Sequence, residues 1–149
     1  MRNGPTRINN RRSIHSDKME TLAPGLKGRS DFIVKPEYSA KAFRSGSLEV
    51  LATPVMIASA EETCADLVQP LLDAGIGTVG TLVNIRHLAP TPIGMKFYCE
   101  AELISVEGRV LTFHVVLYDE REKIAEGTHE RVIINEERFL NKTQNKRNA

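Results

Sequence analysis

The sequence predicts an α+β fold in which an antiparallel β-sheet wraps around one long central helix. Only residues 53–72 carry the period and the end signals of a long helix, with one short apolar strand before them and four alternating stretches after them. Tight turn signals join most of these strands, as in an antiparallel sheet. With 149 residues and 41% hydrophobic content, the chain is long enough for one domain with a core.

The helix is expected to begin at Thr53-Pro54, because a hydroxyl N-cap followed by proline is a strong start signal. Its expected end is Ala74-Gly75, with glycine at the C-cap. At about 3.6 residues per turn, one stripe holds Ile57, Glu61, Cys64, Ala65, Val68 and Leu72. Glu61 is therefore predicted on the buried face, where an unpaired carboxylate costs several kcal/mol. Such a carboxylate is either held by a partner or used in chemistry, and we interpret it as used.

The strands follow from alternation and from the residues that interrupt it. Asp31 to Val34 is a short strand stopped by Pro36, and later strands are expected at residues 78–88, 95–106, 109–118 and 124–135. Phe97, Cys99, Ala101 and Leu103 share one face of the second of these. One strand, one helix and four strands is the order of the hot-dog fold. Because a sheet with one helix leaves an edge strand exposed, we expect a homodimer, which can pair further into a tetramer.

The two ends of the chain show no such patterns. Residues 1–25 have neither a helical nor a strand period and are predicted to form a disordered N-terminal arm. Residues 141–149 are polar and basic and are predicted to be a C-terminal tail. The folded domain is therefore expected at residues 26–140.

Composition excludes several classes of partner. The 20 basic and 19 acidic side chains leave no overall field that would attract nucleic acid or an anionic membrane. No apolar run approaches the roughly 20 residues that span a bilayer, and the first 25 residues lack the apolar stretch of a signal peptide. Cys64 and Cys99 lack metal-ligand spacing and are too few for a secreted disulfide scaffold. We expect a cytoplasmic protein with no metal, nucleic-acid or membrane partner.

Six short motifs occur in the same order and at matching spacing as in a known enzyme family. They are Leu51-Ala52-Thr53, Glu61 eight positions after that threonine, Val79-Gly80-Thr81, His87 with Thr91-Pro92-Ile93-Gly94, Ser105-Val106-Glu107-Gly108-Arg109, and Gly127-Thr128-His129-Glu130-Arg131. Over roughly residues 26–140, the chain therefore resembles the fluoroacetyl-CoA thioesterases of the hot-dog superfamily.

The resemblance implies an acyl-CoA thioesterase without a cofactor, and it implies which residues act. Thr53, Glu61 and His87 correspond to the catalytic set, the backbone amide of Gly80 to a group beside the thioester, and Arg131 to an arginine near the substrate. In the family, a phenylalanine-bearing lid precedes the helix and covers the small acyl group. Here that segment is the shorter stretch of residues 44–50, which has no aromatic residue. We therefore expect a short- or medium-chain acyl group other than fluoroacetyl.

The chemistry of thioester hydrolysis independently suits these residue types. A buried carboxylate such as Glu61 can serve as general base on a water molecule, or it can attack the carbonyl and form an anhydride. An amide at Gly80 can donate to the developing oxyanion, because a residue without Cβ allows close approach. His87 can orient the carboxylate or shuttle the proton, and Thr53 can supply a hydroxyl to this network.

Each of these residues also has a purely structural interpretation. Glu61 can pair with Arg86 or Arg131, Thr53 can be only an N-cap, and Gly80 can mark a β-bulge. On its own, His87 would be interpreted as an ordinary strand histidine, and only its place among the motifs favours a catalytic role. His114 and His129 are taken as structural. Cys64 is disfavoured as a nucleophile because apolar burial raises the pKa of a thiol, and Arg86 and Arg131 remain candidates for binding CoA phosphates.

One geometric difficulty affects the catalytic set. Eight residues of a straight helix rise about 12 Å, so Thr53 and Glu61 cannot touch if both lie in one regular helix. Either the chain around Thr53 folds back before the helix starts, or the set is completed across the dimer. The resemblance favours a site at the subunit interface, because hot-dog thioesterases usually build theirs there. The predicted function is hydrolysis of an acyl-CoA thioester, and the alternative is a non-catalytic module that binds an acyl thioester or a small hydrophobic ligand. Hydratases of the same fold are disfavoured because residues 84–87 lack their Asp-and-His motif.

Overall fold

One antiparallel sheet and one long helix form the centre of the molecule. The structure is a computed structural model and describes residues 7–11, by their backbone, and 21–148. The strands are β1 (Arg7–Arg11), β2 (Lys27–Ile33), β3 (Ile76–His87), β4 (Lys96–Glu107), β5 (Val110–Asp119) and β6 (Lys123–Asn135), and the α-helices are α1 (Ala40–Phe43), α2 (Thr53–Val68) and α3 (Glu136–Gln144). Short 3₁₀ turns cover Pro36–Tyr38, Gln69–Leu71 and Asn145–Asn148. The four strands predicted after the helix are all present, with bounds shifted by at most two residues.

The six strands lie in the order β1-β2-β4-β5-β6-β3, and every neighbouring pair is antiparallel. Strand β3 pairs with β6 from Ile76 opposite Asn135 to His87 opposite Ala125, with an irregularity between Gly80 and Leu82. Within the described residues, β3 therefore has a neighbour on one side only. Its other edge offers backbone groups for pairing.

The core lies between the sheet and helix α2. Phe97, Cys99, Ala101 and Leu103 of β4 are all buried, which confirms the predicted inward face of this strand. Alternate residues of β5, Leu111, Phe113, Val115 and Leu117, are buried beside them. The rings of Phe32 and Phe97 stack with their centroids 5.2 Å apart. The α+β hot-dog architecture is therefore the one that the alternation predicted.

Helix α2 differs from the prediction at both ends. It is capped by the backbone of Ala52, and Thr53 is its first residue, so Thr53 is not the N-cap. It ends at Val68, because Pro70 lacks the N–H that would continue the helix. Gly75, with φ of 80°, then turns the chain into β3. The expected end at Ala74-Gly75 was wrong because it gave no weight to this proline.

The terminal regions contain regular structure that the sequence analysis did not expect. Strand β1 lies within the predicted N-terminal arm and pairs with β2, whereas the rest of residues 1–20 lies outside the described residues. Helix α3 continues past the predicted boundary at residue 140, and its N-cap Asn135 accepts a hydrogen bond from the backbone of Arg138. Glu136 and Glu137 in its first turn suit the positive end of the helix dipole. None of the helices described is long and apolar enough to cross a membrane.

Candidate active site

Two groups of polar side chains lie where helix α2 passes over strand β3. The first joins Thr53 at the start of the helix to His87 at the end of the strand. The second joins Glu61 in the middle of the helix to Gly80, and includes two residues of β6. Because Thr53 and Glu61 both lie in one continuous α-helix, about 12 Å of helical rise separates them. As expected, Thr53 and Glu61 of a single chain are therefore too far apart to touch.

Thr53 and His87 share a hydrogen bond, with 2.8 Å between Oγ1 and Nδ1. In the neutral ring with its proton on Nε2, the threonine hydroxyl donates to Nδ1. Burial lowers the pKa of His87, so a neutral ring is favoured at neutral pH. Since Ala52 caps the helix, capping does not use the Thr53 hydroxyl. The pair lies beside a pocket of about 310 Å³ that is lined by Ala40, Ser45, Val50, Leu51, Leu88, Ala89 and Pro90.

Glu61 lies at the border of the buried face of α2, with 41% of its side chain exposed in the single chain. The prediction that Glu61 lies inside this face was wrong, because the observed buried face is rotated slightly about the helix axis relative to the predicted stripe. Ser59 and Thr63 occupy the buried face instead, and their hydroxyls donate to carbonyl oxygens one turn back at 2.8 Å. These internal hydrogen bonds satisfy the hydroxyls, which allows polar residue types at buried positions.

Gly80 lies against the Glu61 carboxylate. A Cβ at this position would stand 2.9 Å from Glu61 Oε2 and 3.2 Å from His129 Cε1, so only glycine fits without a shift. The irregularity after Gly80 leaves Thr81 as an extra residue in β3, which is the bulge of the structural interpretation. The bulge and the close approach occur together, because the missing side chain makes room for the carboxylate.

Arg131 is buried beneath Glu61, with Nη1 lying 3.8 Å from Glu61 Oε2. Its Nε donates to Thr78 Oγ1 at 2.8 Å, and its Nη2 donates to the Thr78 carbonyl at 3.0 Å. Burial lowers the pKa of Arg131, and the Glu61 charge opposes that shift. Of the two arginines considered as partners of Glu61, Arg131 is thus the one that lies beside it. Its hydrogen bonds to the protein fit a role toward Glu61 better than binding of CoA phosphates.

His129 belongs to the same group, although sequence analysis took it as structural. It is completely buried, its Nδ1 lies 2.7 Å from the Leu82 carbonyl oxygen, and its Nε2 lies 3.1 Å from Arg131 Nη1. The signal that could have identified it is its spacing, because residues two apart on a strand face the same side. His114, by contrast, forms a hydrogen bond with Glu126 away from this group.

Cys64 lies one turn from Glu61 on the buried side of α2. Burial raises the pKa of the Cys64 thiol well above its ordinary value, so the thiol stays protonated at neutral pH. The thiolate is the nucleophilic form of cysteine. This geometry supports the prediction that Cys64 is a packing residue.

Comparisons with known proteins agree with this fold. The family model of fluoroacetyl-CoA-specific thioesterase matches residues 34–137. The chain is a member of the fluoroacetyl-CoA thioesterase family. The fluoroacetyl-CoA thioesterase of Streptantibioticus cattleyicolor is 37% identical over 122 residues, which are 78% of this chain and 88% of that enzyme.

Solved structures of fluoroacetyl-CoA thioesterase and of a Thermus thermophilus protein have the same fold. A structure of the fluoroacetyl-CoA thioesterase superposes with a TM-score of 0.81 at 34% identity and covers 85% of this chain and 98% of its own. The T. thermophilus protein, a thioesterase superfamily member, superposes with a TM-score of 0.80 at 25% identity and covers 87% and 96% of the two chains.

The segment between α1 and α2 lacks aromatic residues. Helix α1 ends at Phe43, and Arg44 then adopts a left-handed conformation with φ of 57°. From there to Val50 the chain has no aromatic residue, and Leu48 is 67% exposed. One wall of the pocket beside Thr53 and His87 is therefore formed by small and aliphatic residues.

Proposed function

We propose that this thioesterase family member hydrolyses a short- or medium-chain acyl-CoA, with Glu61, Thr53 and His87 as catalytic residues. The proposal depends on the exposure of the Glu61 carboxylate and on its distances from its neighbours. Its carboxylate is half-exposed, lies against Gly80, and stands 3.8 Å from Arg131, which is beyond the 2.7–2.9 Å of a charge-assisted hydrogen bond. A carboxylate that only stabilised the fold would be expected to close that contact.

Two reaction paths are compatible with this carboxylate. As general base, Glu61 takes a proton from water while the water oxygen bonds to the thioester carbon, and the C–S bond then breaks to release CoA thiolate. As nucleophile, Glu61 itself bonds to that carbon, and the C–S bond breaks to release CoA thiolate and leave an anhydride. Water later cleaves this anhydride to the free acid and restores the carboxylate. The negative oxygen of either tetrahedral intermediate lies near β3, where the Gly80 amide is the proposed donor.

We further propose that the catalytic set is completed across a homodimer formed by β3. Gly80 and His87 lie at equal distances on either side of the midpoint between Val83 and Asn84. If two β3 edges pair antiparallel about that midpoint, Gly80 lies opposite His87 of the partner subunit. Glu61 of one protomer would then meet the Thr53–His87 pair of the other. This arrangement removes the difficulty that the helix imposes within one chain.

The hydrolytic function is tested by thiol release from a panel of acyl-CoAs that differ in chain length. We expect release by the wild type and a decrease of more than about tenfold in kcat for Glu61→Gln. The matched control is Glu62→Gln, since Glu62 is the next residue and lies on another side of α2. Binding of acyl-CoA without release by the wild type would favour the non-catalytic module.

The shared site is tested by mixing two inactive variants, Glu61→Gln and His87→Ala. If subunits pair at random, half of the dimers are mixed. When the site is shared, each mixed dimer has one intact site and one that lacks both residues, so roughly a quarter of wild-type activity is restored. Light scattering shows whether the protein is a dimer under the assay conditions. A confirmed dimer whose mixed variants stay inactive would place the whole site within one chain.

A further inference from the structure

His129 has two hydrogen-bonding contacts that define its chemical state. Its Nδ1 lies 2.7 Å from the Leu82 carbonyl oxygen, which can only accept, so Nδ1 carries a proton. Its Nε2 lies 3.1 Å from Arg131 Nη1, which can only donate, so Nε2 carries a lone pair. The ring is therefore neutral and in the Nδ1–H tautomer. Burial lowers the pKa of His129, as does the charge of Arg131, in agreement with this assignment.

The Arg131 guanidinium connects this ring to Glu61. Thr78 receives hydrogen bonds from Nε and Nη2, which leaves Nη1 between His129 Nε2 at 3.1 Å and Glu61 Oε2 at 3.8 Å. The same ring forms part of the wall around Gly80, because its Cε1 is 3.2 Å from where a Cβ would stand. His129 therefore contacts both groups that determine where the carboxylate lies.

We propose that His129 is a positioning residue, which accepts a hydrogen bond from Arg131 and so keeps the guanidinium from closing onto Glu61. Without an acceptor at Nε2, the guanidinium can tilt about its two contacts to Thr78 and bring Nη1 toward the carboxylate. A direct hydrogen bond there would stabilise the negative charge of the Glu61 carboxylate and so reduce its reactivity as base or nucleophile. His129 thus maintains the open spacing on which the proposed chemistry of Glu61 depends.

The inference rests on the proposed function, and two substitutions separate its parts. Gln places its amide oxygen near the position of Nε2, so His129→Gln keeps an acceptor for Arg131. Asn places its amide nitrogen near the position of Nδ1, so His129→Asn keeps the donor to Leu82 but loses that acceptor. His114→Gln is the matched control, because His114 also lies on a strand and contacts Glu126 instead of this group.

Kinetics then distinguish positioning from general loss of structure. We expect His129→Asn to lower kcat by about tenfold or more with little change in KM, since misplacement rather than lost binding is the cause. His129→Gln should keep most of the wild-type kcat, and His114→Gln should keep all of it. Equal losses in the Gln and Asn variants, or a loss confined to KM, would overturn the positioning role.

The tautomer provides a second measurement that needs no substrate. A long-range ¹H–¹⁵N spectrum of the wild type at pH 7 should show His129 with its proton on Nδ1 and a bare Nε2. A ring that is protonated on Nε2 would refute the inference whatever the enzyme hydrolyses. Conversely, if no acyl-CoA is cleaved while the Nδ1–H form is observed, the proposed function fails and the contact to Arg131 stands.

Discussion

Replacing Gly80 with alanine tests whether the position of the Glu61 carboxylate controls the reaction. The added Cβ would stand 2.9 Å from Glu61 Oε2, whereas ordinary contacts begin at about 3.4 Å. Since the next nearest atom, at 3.2 Å, belongs to the buried His129 ring, the flexible carboxylate is the group that gives way. It must retreat by roughly 0.5 Å or more, toward solvent.

The expected effect is large on rate and small on stability. A displacement approaching 1 Å costs about 10²-fold in well-oriented reactions, so we expect kcat of Gly80→Ala to fall by roughly 10- to 100-fold. A glycine-to-alanine change also lowers the entropy of the unfolded chain, by about 0.4–1 kcal/mol. We therefore expect the free energy of unfolding to change by no more than about 1 kcal/mol.

Thiol-release kinetics and denaturant unfolding are measured on the same preparations. Gly77→Ala is the matched control, because it lies on the same strand and its added Cβ would meet the Glu136 side chain at 3.4 Å, an ordinary contact. This control should keep wild-type kcat. If Gly80→Ala keeps full activity while folding normally, the carboxylate is not held by this contact and the reasoning about Glu61 is wrong.

Three further predictions concern the remainder of the site and its support. Thr53→Val should lower kcat by about tenfold or more in steady-state kinetics. Thr53→Ser keeps the hydroxyl that bonds to His87 and should retain most of the wild-type kcat. Asp119→Ala should lower the free energy of unfolding by about 1–3 kcal/mol, measured in urea, because the carboxylate accepts from Thr91 and from the backbone N–H groups of residues 121 and 122. The pKa values of His87 and His129 are lowered by burial, so below about pH 6.5 the unfolded chain binds more protons and stability falls. The melting temperature should therefore drop from pH 7.5 to pH 5.5, and by less in His129→Gln.

Alternation along the sequence was sufficient to predict the four strands after the helix, and it is clearest in β4 and β5, because each of these buries one face only. Phe97, Cys99, Ala101 and Leu103 lie inward as expected. The helix was harder to place, since apolar content alone does not show which face is buried when Ser59 and Thr63 satisfy their own hydroxyls within the helix. A stripe drawn through apolar residues omits Ser59 and Thr63, and the predicted stripe was therefore rotated so that it included Glu61.

The resemblance proposed a set of site residues but not their arrangement. The resemblance named Thr53, Glu61, His87, Gly80 and Arg131, yet their grouping into two clusters depends on how α2 crosses β3. Such a crossing is set by packing across the core, which no local signal in the sequence reports. His129 was missed for a related reason, because its role arises from contacts to residues on another strand.

Helix α2 and strand β3, which are adjacent in the sequence, carry Thr53, Glu61, Gly80 and His87. The proposed reactive groups therefore belong to one contiguous segment, residues 53–87, whereas the pocket wall at residues 40–50 precedes it. Insertions or replacements in that wall can alter which acyl groups enter while the reacting atoms stay in place. A division of this kind gives the fold an evolutionary route to new substrates without rebuilding its chemistry.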